Sequence, residues 1–121
     1  MTENPTAWEL VSDVAATTAS GHSEPLAIAA PEYLLTLSVR EAVEQQALEV
    51  TVQGSVDGAT WGKPFAALPQ VFYSGEWSLR FRPAPEHRYA RVQWRLQRWG
   101  RGTLDAWCRF RLELRGSSDE R

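Results

Sequence analysis

The chain has 121 residues, of which 43% are hydrophobic and 23% are charged, and its formal net charge at pH 7 is −2. This length and composition fit one globular domain and exclude an intrinsically disordered chain. No apolar run approaches the roughly 20 residues that a transmembrane helix needs, and a single cysteine, Cys108, excludes an intramolecular disulfide.

The N-terminal segment Met1–Ala7 has neither a basic region nor an apolar stretch of the kind that a secretory signal peptide contains. A lone cysteine also agrees with a reducing compartment. We therefore expect a soluble protein without a signal peptide. It would be cytoplasmic or assembled into a virion-like particle, and it would not be inserted in a membrane.

Strand patterns begin with two weak candidates, Ala7–Val11 and Glu24–Ala29. A strong candidate follows at Tyr33–Val39, where every second residue is apolar, as in a strand with one buried face. The next segment, Val39–Leu48, contains helix-forming residues and is predicted to be a loop with one helical turn. A second strong strand then places Leu48, Val50 and Val52 on one face.

The second half of the chain contains two further weak candidates, Pro64–Leu68 and Trp77–Arg82. Its last third, Ser78–Leu114, is rich in arginine and tryptophan and holds the two most regular strand patterns. Their predicted core positions are Ala90, Val92, Trp94 and Leu96 in the first strand, and Cys108, Phe110, Leu112 and Leu114 in the second. Because Cys108 falls on this buried side, we expect an inert, packed thiol.

Short strands separated by turn residues predict an all-β fold, an antiparallel β-sandwich or jelly roll of about seven to nine strands. Residues 1–116 are predicted to form this single domain, and residues 117–121 a flexible C-terminal tail.

Charge is distributed unevenly along the chain. Met1–Trp77 contains ten acidic residues but two basic ones, whereas Ser78–Arg115 contains ten arginines but three acidic residues. Two interpretations remain open: neighbouring strands compensate each other's charge, or the surface is bipolar and docks onto an acidic partner or another copy. An isoelectric point of about 5.7 argues against nucleic-acid binding.

The candidate contact residues are the outward-facing arginines of the last two strands and the side chains of two loops. The arginines would form two parallel rows if both strands belonged to one sheet. Trp99–Gly102 resembles an exposed loop tip whose tryptophan folds back onto the sheet, inserts into a partner protein or stacks on a sugar ring. The full set is Arg91, Arg95, Arg109, Arg111, Trp61, Trp99 and Arg101.

The segment Ser55–Trp61 has the composition of a tight turn. Gly58 can take a positive φ, and the Asp57 carboxylate can accept backbone N–H bonds. Trp61 would then fold over the turn as an apolar lid. A structural role for this corner and a binding role for Trp61 are both compatible with the pattern.

Catalytic and metal-binding signatures are absent from the sequence. His22 and His87 are isolated, and no motif of a zinc protease, a serine hydrolase or a phosphate-binding loop occurs. One carboxylate, Asp57, does not make a calcium site, because that ion takes six to eight oxygen ligands. We expect a protein that is not an enzyme and that uses no metal and no cofactor.

Three short motifs resemble the C-terminal half of discoidin-like domains, the coagulation-factor type C jelly rolls. They are Ser55–Trp61 (SVDGATW), Arg88–Val92 (RYARV) and Phe110–Leu114 (FRLEL), within roughly Leu48–Gly116. The resemblance implies a galactose-binding-like jelly roll that recognises glycans or lipids. This chain is shorter than those domains, lacks their cysteine pair and has no export signal. In these respects it is similar to minor structural proteins of phage-like particles.

We therefore predict a non-enzymatic interaction module, a decoration or accessory subunit of a phage-like or other multi-subunit particle. Its partners would be other protein subunits, including copies of itself. The alternative function is a carbohydrate-binding module that stacks sugars on exposed tryptophans, with Trp61, Trp77 and Trp99 as candidates.

Overall fold

The computed structural model describes the backbone of residues 6–17, 20–42, 46–99 and 108–117, and the side chains of these residues outside the first strand, Arg98 and Ser117. These ranges contain nine strands. They are β1 Thr6–Thr17, β2 Gly21–His22, β3 Leu26–Ala27, β4 Glu32–Ala42, β5 Gln46–Ser55, β6 Ala66–Ala67, β7 Gly75–Phe81, β8 Tyr89–Arg98 and β9 Cys108–Ser117.

The strands form two sheets in which every pairing is antiparallel. Sheet A has the order β1-β9-β4-β7, and sheet B the order β2-β8-β5-β6, with β3 also paired to β8. Because β2 and β3 pair with different parts of β8, they act as one interrupted edge strand. Each sheet then has four positions, and the chain crosses between the sheets at every connection except the one between β5 and β6, which pair with each other in sheet B. The predicted all-β sandwich is confirmed.

The core lies between the sheets and consists of the alternate residues that the sequence pattern predicted. Phe110, Leu112 and Leu114 of β9 are at most 3% exposed, and Val92 and Trp94 of β8 at most 8%. Leu96 is partly buried against the same cluster. The Trp94 and Phe110 rings meet edge-to-face across the sandwich, with their centroids 5.5 Å apart. This contact joins the most regular strand of each sheet.

All four weak strand candidates contain or overlap a strand of the structure: β1, β3, β6 and β7.

The prediction for Val39–Leu48 was wrong over its described part, because β4 continues to Ala42 and β5 begins at Gln46. Residues 43–45 lie outside the described residues. Helix-forming composition is overridden here by long-range pairing: Ala42 pairs with Cys108 of β9, and Gln46 with Arg98 of β8.

The topology places the strand ends at two opposite ends of the sandwich. The last residues of β1, β4, β6 and β8 and the first residues of β2, β5, β7 and β9 share one end, which we call the Trp99 end. The last residues of β3, β5 and β7 and the first residues of β4, β6 and β8 share the other, which we call the Asp57 end. Candidate contact residues therefore occupy four surfaces: two sheet faces and two ends.

Candidate functional site

The four candidate arginines do not form one surface. Arg91 and Arg95 belong to β8 in sheet B, whereas Arg109 and Arg111 belong to β9 in sheet A. The two parallel arginine rows were expected only if both strands shared a sheet, and the structure does not meet this condition. The physical reason is that the chain crosses from one sheet to the other between β8 and β9, so the two outward faces point in opposite directions.

Acidic side chains of the first half of the chain lie beside two of these arginines. Arg95 Nε is 4.0 Å from Glu49 Oε1 across the β5–β8 pair, and Arg109 Nη1 is 3.5 Å from Glu41 Oε1 across the β4–β9 pair. These contacts agree with charge compensation between neighbouring strands. Since each pair contains at least one side chain that is more than half exposed, each contributes about 1 kcal/mol or less to stability.

The Asp57 turn has the predicted geometry. Gly58 has a φ of 80°, and the Asp57 carboxylate accepts backbone N–H bonds from Ala59 and Thr60, both 2.8 Å long. The Ser55 hydroxyl donates to the same carboxylate oxygen at 3.0 Å and accepts the Gly58 N–H at 2.8 Å. Local side-chain bonds therefore hold this corner and position Trp61 at its exit.

These hydrogen bonds predict a specific pH dependence for the turn. The backbone N–H groups of Thr60 and Ala59, and then the Ser55 hydroxyl, lower the pKa of Asp57 from 3.8 to about 2. A lowered pKa in the folded state adds stability above pH 4 that is lost as the pH falls toward 2. The Asp57→Asn variant should therefore unfold at lower urea concentration than the wild type at pH 7, and the two should converge near pH 2.

Urea titrations across this pH range measure the effect. Glu24→Gln removes a charge from an exposed side chain elsewhere and serves as the control. An Asp57→Asn difference that stays constant from pH 7 to pH 2 would contradict the role of the carboxylate charge.

Trp61 lies beside the outer face of sheet B. The guanidinium carbon of Arg91 is 4.6 Å from the centre of the Trp61 ring, a cation–π distance. Arg91 Nε also donates to Gln53 Oε1 at 2.8 Å, and Gln53 Nε2 donates to the Gly62 carbonyl at 2.9 Å. One face of Trp61 is thus covered by Arg91, and the candidate residues Trp61 and Arg91 form one connected group.

Aromatic side chains cluster at the Trp99 end. Trp99 is 57% exposed, Phe72 44% and Tyr73 67%. The Phe72 and Trp99 rings meet edge-to-face at 6.0 Å, and the Tyr73 ring lies 6.1 Å from that of Trp77. We call Phe72, Tyr73 and Trp99 the aromatic end cluster. The prediction named Trp99 but missed Phe72 and Tyr73, although two adjacent aromatics before the Ser74-Gly75 turn were a usable signal. Arg101 lies outside the described residues.

Cys108 has the environment that the strand pattern predicted. Its side chain is 1% exposed, and burial raises its pKa from 9.0 to about 11, which keeps the thiol protonated at neutral pH.

Within the described ranges, no group of three or more potential metal ligands occurs. Those ranges also contain no helix that is long and apolar enough to span a membrane.

No protein-family model matches this chain, and neither does any curated protein. Solved structures do match its fold. The PBSX exported protein XepA has a TM-score of 0.67 and 11% identity, covering 95% of this chain and 38% of XepA. A chain of infectious bursal disease virus, Gx strain, has a TM-score of 0.62 and 12% identity, covering 96% of this chain and 33% of the viral one.

A third similar structure comes from the Bacillus endospore appendages, described as disulfide-linked pili. Its TM-score is 0.53 at 15% identity, with 98% of this chain and 93% of the pilus chain covered. Our chain spans 38% of the first of these proteins and 33% of the second. At these identities the similarity shows the fold alone, an all-β sandwich. The discoidin-like assignment stays a prediction.

Proposed function

We propose that this protein is a non-enzymatic structural subunit that works by protein–protein contact in a multi-subunit assembly. The observation that carries the proposal is the aromatic end cluster. Three large aromatic side chains are grouped at one end of a compact sandwich, each between 44% and 67% exposed. Clustered exposed aromatics are typical of the centre of a protein interface, where burial removes them from water.

Two of the three similar structures support the same class of function. One is the structure of a virus and the other comes from endospore appendages that are pili, and each contains a chain with this fold. The finer role, a decoration or accessory subunit of a phage-like particle, rests on this likeness and on the resemblance of the sequence to minor particle proteins. The partners would be further copies of this chain or other subunits of the particle.

The two outward arginine pairs would then contact neighbouring subunits on the two faces of the sandwich. Because Arg91 and Arg95 face away from Arg109 and Arg111, neighbours on opposite sides of the sandwich would each meet one pair. Exposed arginines at the rim of an interface mainly set the orientation and rate of association. We therefore assign the affinity to the aromatic end cluster and the orientation to the arginines.

The Trp99→Ser variant tests the assignment. We expect the wild-type chain, alone or mixed with the products of neighbouring genes, to form a species larger than its 13.6 kDa monomer. Loss of a central aromatic contact should weaken this association at least about tenfold. Size-exclusion chromatography with light scattering over a range of concentrations measures it.

A matched control is available at the opposite end of the molecule. Val56 is also 57% exposed but lies at the Asp57 end, so Val56→Ser should leave the association unchanged. A wild-type chain that stays monomeric at all concentrations and binds none of those gene products would overturn the proposal.

A further inference from the structure

The outer face of sheet B carries a ladder of polar residues on its two central strands, β5 and β8. Three cross-strand pairs follow one another in register: Glu49 with Arg95, Thr51 with Gln93, and Gln53 with Arg91. The alternate residues of both strands are buried in the core, so the ladder faces away from it. Central strands hold such side chains on a rigid backbone.

Part of this ladder lines a depression of about 290 Å³, close to the lower size limit of small-molecule sites. Its lining residues are Glu49, Thr51, Pro64, Gln93, Trp94 and Arg95. A second depression of about 570 Å³ lies toward β2 and shares Gln93, Trp94 and Arg95 with the first. The two depressions adjoin at these shared residues and form one elongated groove across β8, whose lining is both polar and apolar.

Hydrogen-bonding chemistry indicates what kind of ligand fits the groove. The Thr51 hydroxyl and the Gln93 amide each both donate and accept hydrogen bonds, Glu49 accepts them and Arg95 donates them. A matching ligand needs groups that can both donate and accept hydrogen bonds. Hydroxyl groups have this property. Adjacent hydroxyls of a sugar ring can occupy both polar atoms of one amide, carboxylate or guanidinium.

Charge favours a neutral ligand over an anion. Arg95 Nε and Glu49 Oε1 lie 4.0 Å apart, so the two charges of the groove compensate each other. Gln70 Nε2 donates to Glu49 Oε2 and helps to fix the orientation of this carboxylate. An isolated guanidinium would be expected in a phosphate or sulfate site, whereas here an acidic partner adjoins it.

We infer that the groove on the outer face of sheet B, centred on Thr51, Gln93 and Arg95, binds a neutral oligosaccharide. This function goes beyond assembly and uses a different surface from the aromatic end cluster. Glu49, Thr51, Gln93 and Arg95 bind the sugar hydroxyls, and Pro64 provides an apolar contact at the rim.

The first experiment is a printed array of neutral gluco-, galacto- and manno-oligosaccharides with sialylated and sulfated glycans beside them, probed with the full chain. The best neutral oligosaccharide is then titrated by calorimetry against the wild type, Thr51→Ala and Gln93→Ala. We expect each substitution to weaken binding at least about tenfold, because a truncated side chain leaves sugar hydroxyls without partners.

Thr36→Ala provides the matched control. Thr36 is a half-buried threonine on a central strand of sheet A, so this variant should bind like the wild type. Thermal unfolding of each variant shows that it is folded, and Gln93→Ala keeps the test valid if Thr51→Ala does not fold.

Four outcomes overturn the inference. The first three are no neutral glycan bound at millimolar concentration, binding of anionic glycans only, and equal affinity of Thr51→Ala, Gln93→Ala and Thr36→Ala. The fourth is loss of sugar binding in Trp99→Ser but not in the groove variants, because the site would then be the aromatic end cluster. Light scattering without sugar tests the assembly proposal separately, so either proposal can fail while the other holds.

Discussion

A Phe110→Ala variant is expected to be less stable than the wild type by about 3–5 kcal/mol, the usual cost of removing a buried phenylalanine. Phe110 is fully buried in β9, at the centre of sheet A. Its ring packs edge-to-face on Trp94 of the opposite sheet. The substitution therefore opens a cavity between the two sheets and removes an aromatic contact that joins them.

This loss is a large part of the free energy of unfolding of a domain of this size, which is about 5–15 kcal/mol. Urea unfolding followed by tryptophan fluorescence measures it. Phe72→Ala makes the same chemical change at a side chain that is 44% exposed and should cost about 1 kcal/mol or less. Equal losses in the two variants would contradict the assignment of Phe110 to the core.

The second large loss of stability is expected for Gly54→Ala in β5. An added Cβ would lie 2.2 Å from Nδ1 and 2.5 Å from Cε1 of His87, so the imidazole has to move. The ring is also packed against Phe65, with centroids 5.8 Å apart, which restricts its movement. We expect a destabilisation of about 1–3 kcal/mol, as for other overpacked sites.

A double-mutant cycle identifies the cause. The His87→Ala substitution removes the ring that the new Cβ would meet, so Gly54→Ala should cost much less in that background. Gly62→Ala is the control, because nothing lies within 4 Å of its added Cβ. Additive losses in the cycle would mean that His87 is not the obstacle, and chemical denaturation of the four proteins decides between the two outcomes.

The candidate sites could be predicted from the sequence only where they depend on nearby residues. The Asp57 turn is such a case, because Ser55, Asp57 and Thr60 bond to one another within a few positions. The cover of Trp61 by Arg91 joins residues 30 positions apart, and no local pattern indicates it. Sequence alternation predicted the polar residues of both β5 and β8, but not that these two strands pair to form the ladder.

The sequence by itself determined which residues face the core in the strong strands. A strand has a side-chain period of two, so Val92 and Trp94, like Phe110 and Leu112, are buried whatever the strand order is. The acidic and basic halves of the chain were equally visible in the sequence. Their compensation was one of two open interpretations, and the pairs at Glu49 and Glu41 agree with it.

Only the tertiary structure decided which strands share a sheet. Sequence alternation has the same form in β8 and β9, yet the jelly-roll connection places them in opposite layers, and so their arginines face opposite sides. Long-range backbone pairing also extended β4 to Ala42 and started β5 at Gln46, where local composition favoured a helical turn. Strand partners are set by packing between distant segments, and this information is not contained in the local periodicity of the chain.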